Sequence, residues 1–95
     1  MPSDEEQIRI LIADDHPVFR RGLRDVLESE PGMEVIGEAK DGAEALAQIR
    51  ALEPRIALLD AHMPEMSGLE VARAIRDSGL TTAPMILFLC VAKPA

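Results

Sequence analysis

The residues with the clearest capacity for chemistry are Asp14-Asp15 and Asp60, three carboxylates in two short phrases. Each phrase begins where an apolar run stops. Ile8-Arg9-Ile10-Leu11-Ile12-Ala13 leads into Asp14-Asp15, and Ile56-Ala57-Leu58-Leu59 leads into Asp60. Short apolar runs rich in β-branched residues read as buried parallel strands. In an open α/β sheet, ligands bind beyond the carboxyl ends of the strands, where the strand order reverses. The three carboxylates are therefore expected to converge. Clustered carboxylates repel unless a cation neutralises them or one takes up a proton. A hard divalent ion suits such a cluster, and magnesium typically joins one or two carboxylates to a phosphate. A single Asp ahead of Pro17 would read more simply as a helix N-cap. The doubled Asp at a strand end, with Asp60 at another, favours the cation site.

The elements that must position these residues alternate regularly. The first strand spans Ile8 to Ala13. Pro17 suits a first helical position, where its missing N–H costs nothing. Phe19, Leu23, Val26 and Leu27 recur at helical spacing, giving a helix to about Glu30 that Pro31-Gly32 stops. A second strand, Glu34 to Ala39, alternates loosely and reads as an edge. Asp41 and Glu44 have capping-box spacing at the start of the next helix. That helix carries Leu46, Ile49 and Leu52 as its expected buried stripe and ends at Glu53-Pro54. The third strand is Ile56 to Asp60. A loop, Ala61 to Ser67, then Gly68, precedes a helix from Leu69 to Ser78 with Val71, Ala72 and Ile75 inward. Pro84 introduces a fourth strand, Met85 to Val91. The order β-α-β-α-β-α-β implies α/β architecture, a parallel sheet with right-handed crossovers.

Composition bounds the class. A chain of 95 residues forms one small domain. A net charge of -7 argues against autonomous nucleic-acid binding, which needs a basic face. The acidic lead at residues 1–7 lacks the basic start and apolar core of a signal peptide. The apolar run from Met85 to Ala92 is too short to span a bilayer. The single cysteine, Cys90, excludes an internal disulfide and fits a reducing cytoplasm. His16 and His62 lack the paired spacing of metal histidines and read as solvated loop residues. Arg20, Arg21 and Arg24 read as a solvated helix face or a kinase-docking patch. Met63 and Met66 read as packing.

Ile10-Leu11-Ile12-Ala13-Asp14-Asp15-His16-Pro17, with Leu59-Asp60-Ala61-His62-Met63-Pro64-Glu65-Met66-Ser67-Gly68, resembles the receiver domain of bacterial two-component response regulators. The Asp-Asp-His-Pro form is similar to the branch that usually carries a C-terminal helix-turn-helix domain. The resemblance runs from about Arg9 to Leu89. It implies a flavodoxin-like fold with strand order 2-1-3-4-5 and a site between strands one and three. It also implies residue roles. Asp60 would be the phosphoacceptor, forming an aspartyl-phosphate. Asp15 would bind magnesium, or manganese, directly, and Asp14 through water. His62 would contribute its backbone carbonyl. A histidine kinase or phosphotransfer protein would be the donor.

The C-terminal end departs from that pattern. The resemblance implies a Ser or Thr at the end of strand four. Aligning the apolar run puts Cys90 there, and counting from Pro84 puts Leu89 there. It also implies a Lys-Pro after a fifth strand, whereas Lys93-Pro94 follows strand four directly. The expectation is a receiver of order 2-1-3-4, truncated after strand four and lacking the last helix-strand-helix portion. Residues 1–7 are its lead, 8–91 the domain and 92–95 a tail. Met85–Val91 would then be an apolar edge, a template for pairing with a second copy in a homodimer. Three functions are open: a phosphorylatable receiver that is no enzyme in its own right; a degenerate receiver serving as an interaction or dimerisation module; and a small magnesium-dependent phosphotransfer enzyme. The third wants an Asp two residues after the nucleophile, where His62 stands.

Overall fold

A computed structural model describes residues 7–88 of the chain. Among them, β1 (Ile8–Ala13), α1 (Pro17–Glu28), β2 (Met33–Ala39), α2 (Gly42–Leu52), β3 (Ile56–Asp60), α3 (Gly68–Asp77) and β4 (Ala83–Leu87) follow in that order. All strand pairs are parallel, and the sheet runs β2-β1-β3-β4. The expected alternation and strand order are both present.

β1 and β3 are central and bury both faces. Leu11 and Ala13 of β1, with Ala57 and Leu59 of β3, join Ala45 and Ile49 of α2 and Val71 and Ile75 of α3 on one side. Ile10 and Ile12, with Leu58 and Val35, face the other side under Leu23 and Leu27 of α1. This two-sided burial explains why the central strands read as continuous apolar runs instead of alternating. β2 lies at an edge, as its looser alternation suggests. Its pairing with β1 slips at Ile10/Leu11, where Val35 and Gly37 become successive partners and Ile36 is the extra residue.

Three details correct the sequence reading. The buried face of α2 is Gly42, Ala45 and Ile49, while Leu46 is half-buried and Leu52 exposed. α2 packs close to the loop after β3, and a Cβ on Gly42 would stand 2.1 Å from the Met66 carbonyl oxygen. Only glycine therefore fits at position 42. On α1, Val26 is 63% exposed, and no residue of that helix is fully buried. The fourth strand starts earlier than expected, at Ala83. Its register is set by β3, with Ala83 beside Ile56 and Leu87 beside Asp60. Residues 89–91 of the expected strand lie outside the described residues, as do Cys90 and Lys93.

Candidate functional site

β1 and β3 are neighbours in the sheet, and the chain leaves them toward opposite sides, to β2 and to β4. Their carboxyl ends thus flank the crevice at the switch in strand order. Asp14 still extends the sheet, its N–H donating to the Ala39 carbonyl at 3.0 Å. Asp60 is the last residue of β3. Both are 1% exposed, and Asp15 is half-buried. One ligating atom from each of Asp14, Asp15, His16 and Asp60 lies within 4.8 Å of the others. The three expected carboxylates therefore do meet.

Local chemistry sets the entry to α1. The N-cap is His16, and neither Asp caps the helix. A residue before proline is pushed to extended backbone, and His16 has φ -103° and ψ 104°. Its N–H donates to Asp14 Oδ1 at 2.6 Å. Its Nδ1 stands 3.0 Å from both Asp14 Oδ1 and Asp15 Oδ1. His16, with its side chain 40% exposed, is thus a partly solvated loop residue that also contacts the Asp pair, which the sequence reading did not anticipate. The signal was its place directly after the Asp pair. Asp14 Oδ2 is buried and, among the described residues, has no hydrogen-bond partner.

The Asp60 loop is held from both ends. The His62 N–H donates to Asp60 Oδ1 at 3.0 Å, while the His62 side chain is exposed. Met63 is buried in the core with Met66 packed beside it, as expected. Glu65 takes the left-handed region at φ 64°, a conformation a non-glycine residue adopts at some cost. A Cβ on Gly68 would lie 2.5 Å from the Asp60 carbonyl oxygen, so only glycine permits α3 to start so close to Asp60. Ser67 and Glu70 form a capping box at that start, a motif the sequence reading missed although Ser-x-x-Glu stands in the chain.

Arg20 also proves to be more than surface. Its Nη1 donates to the Asp14 carbonyl at 2.7 Å and its Nε to Glu38 at 2.9 Å. Arg24 bonds Glu38 and Glu28. These bonds hold the Glu38 carboxyl below its ordinary range, Arg24 contributing most, and raise Arg24 above its own. Arg20 is thus engaged with a backbone carbonyl and with Glu38.

Residues 10–93 match the response regulator receiver domain. The chain belongs to that family, the receivers of two-component signal transduction. It is 46% identical over 79 residues to the nitrate/nitrite response regulator protein NarP of Escherichia coli K12, covering 83% of this chain and 37% of that protein. It is 44% identical over 82 residues to the probable transcriptional regulatory protein NarL of Mycobacterium tuberculosis, covering 86% of this chain and 38% of that one. The solved signal receiver domain of the putative response regulator NarL from Mycobacterium tuberculosis superposes with a TM-score of 0.87 at 42% identity, over 94% of this chain and 71% of that one. This receiver thus spans under two-fifths of the length of those two regulators. Among its described residues, no helix is long and apolar enough to cross a membrane.

Proposed function

We propose that this receiver accepts a phosphoryl group on Asp60 from a histidine kinase or phosphotransfer protein. The convergence of Asp14, Asp15 and Asp60 at the carboxyl ends of β1 and β3 carries the reading. An Asp60 carboxylate oxygen attacks the phosphorus of a phosphohistidine in line. The P–O bond forms as the P–N bond breaks, and the donor imidazole leaves. The chain is then a phosphoacceptor switch and not an enzyme acting on an external substrate.

The residues fit a magnesium ion, with manganese an alternative. The donors are hard carboxylate oxygens, and Asp14 keeps a buried oxygen without a hydrogen-bond partner among the described residues. When bound, the ion neutralises charge on the phosphoryl oxygens. Asp15 would ligate it directly, Asp14 through water, and Asp60 and the His62 carbonyl would complete the protein's share. Met63, Gly68 and the capping box hold the loop that follows Asp60.

A second copy of the chain is the other proposed partner. β4 is bonded to β3 on one side, and Met85 and Phe88 are 50% and 71% exposed. Antiparallel pairing about a two-fold axis would join two sheets and cover these residues. The extent of the domain, residues 8–91, and a cytoplasmic location belong to the same reading. Cys90, aligned with the expected Ser or Thr, and Lys93, matching the expected Lys-Pro in letters, lie outside the described residues.

The test is incubation with magnesium and acetyl phosphate or phosphoramidate, followed by intact-mass measurement. A gain of one phosphoryl group is expected, and Asp60→Asn should abolish it. A chain that gains nothing under any condition is instead a degenerate receiver, retaining the fold as an interaction module.

A further inference from the structure

We propose that His16 makes this centre a selective site for late first-row divalent ions, such as zinc, cobalt and nickel, alongside its use of magnesium. The inference rests on the reading of the carboxylate cluster as a cation site and adds a fourth ligand of different chemistry.

The first support is geometric. His16 Nδ1 stands 3.0 Å from Asp14 Oδ1 and 3.0 Å from Asp15 Oδ1. Ligand atoms about 2.1 Å from an ion stand about 3 Å apart at adjacent corners of an octahedron. His16 Nδ1 thus stands at ligand-to-ligand spacing from one oxygen of each of two carboxylates, a spacing that is also that of a hydrogen bond to Asp14. Asp60 belongs to the same group of atoms.

The second support is the buried Asp14 carboxylate. Its Oδ2 has no hydrogen-bond partner among the described residues, although Asp14 is 1% exposed. A buried carboxylate oxygen without a donor needs a compensating charge or bond. The third support is the cause of the His16 placement. As N-cap it makes no side-chain capping bond, and Pro17 holds its backbone extended. The ring is turned to the carboxylates and is not spent on the helix terminus.

The ligand types decide the metal class. Carboxylates, carbonyls and water suit magnesium, whereas imidazole suits zinc, nickel and copper. Magnesium dehydrates reluctantly and usually keeps several waters, so it can bind through carboxylates with His16 unused. A late transition ion exchanges one water for neutral Nδ1, and Nε2 then carries the ring proton. Ligation replaces the present contacts of Nδ1 with Asp14 and Asp15.

The experiment uses the whole chain, with magnesium, zinc and cobalt as probes. Affinities come from competition with a chromophoric chelator, and cobalt ligation from hyperfine-shifted imidazole proton resonances. His16→Ala and His16→Gln should weaken zinc and cobalt at least about tenfold more than they weaken magnesium. The shifted imidazole signals should vanish in both variants and persist in His62→Ala. Unchanged zinc affinity without His16 overturns the proposal. So does a parallel loss of magnesium and zinc, which would make His16 a structural residue. Failure of the cation-site reading is separate: it would show as magnesium binding undiminished in Asp15→Asn, whatever the His16 variants do.

Discussion

At the scale of single residues, the carboxylates differ in surroundings although their chemistry is the same. Asp14 and Asp60 are buried at strand ends, and Asp15 is partly open. Burying ionised groups is costly unless they are paired, so a bound cation should hold the cluster together. Asp15→Asn removes one negative ligand while leaving the two buried carboxylates in place. Magnesium affinity is expected to fall at least about tenfold, roughly 1.4 kcal/mol, as measured by isothermal titration. Undiminished binding would place the ion elsewhere. Arg20 acts on the same loop from outside, since it bonds the Asp14 carbonyl and leaves the carboxylate available.

At the scale of elements, α1 is tied to β2 by charge as much as by packing. Arg20 and Arg24 on α1 both bond Glu38 on β2. The Glu38 carboxyl titrates below its ordinary value of 4.5 in the folded chain, chiefly through its bond to Arg24. A depressed folded-state value means that the unfolded chain takes up the proton first as pH falls. The stabilisation is complete above about pH 4.5 and is lost as pH drops through the lower folded value. Glu38→Gln should therefore cost about 1 kcal/mol at neutral pH, since the pairs are partly solvated. It should also flatten the acid limb of stability in urea titrations run at several pH values. A variant as acid-sensitive as the parent would show that other carboxyls set that limb. The C-terminus of α2 tells a different story. Its C-cap, Glu53, sits in the left-handed region at φ 47°, where glycine is the favoured residue. The backbone carbonyl that accepts from Arg9 survives substitution. Glu53→Gly is expected to raise stability by about 0.5–1 kcal/mol, read as a shift in the urea midpoint at constant slope.

At the scale of the whole molecule, the helices among the described residues divide unevenly between the two faces of the sheet. Two helices, α2 and α3, close one face of the sheet, while α1 covers the other. On that second side Ile56 and Leu87 stay half-buried, and along β4 Met85 and Phe88 are exposed. Among the described residues β4 pairs with β3 alone, and exposed apolar groups beside such an edge favour association. Met85→Lys places a charge on that edge with little effect on the core, because Met85 is half exposed. Light scattering at high concentration should show the parent chain as a dimer and Met85→Lys shifted toward monomer. A parent chain that stays monomeric would remove the second-copy partner without touching the phosphoacceptor reading.

The sequence by itself determined the sheet and the carboxylates. Ile10–Ala13 and Ala57–Leu59 are buried on both faces, so their apolar character is continuous and their ends at Asp14 and Asp60 are sharp. The helix start at Asp41 was legible because capping is local: its side chain accepts from the Glu44 N–H, three residues on. Tertiary structure decided what depends on a partner distant in sequence. β4 begins at Ala83 because β3 offers its ladder there, although the apolar run alone points to Met85. α2 turns Ala45 and Ile49 into the core, and Gly42 stands where the Met66 carbonyl leaves no room for a side chain. Arg20 looks like one of three surface arginines until β1 and β2 bring the Asp14 carbonyl and Glu38 within its reach. His16 shows the boundary between the two kinds of information. Its extended backbone follows from Pro17, the next residue in the chain. The value of its ring as a ligand depends on Asp60, which arrives only when β3 pairs with β1.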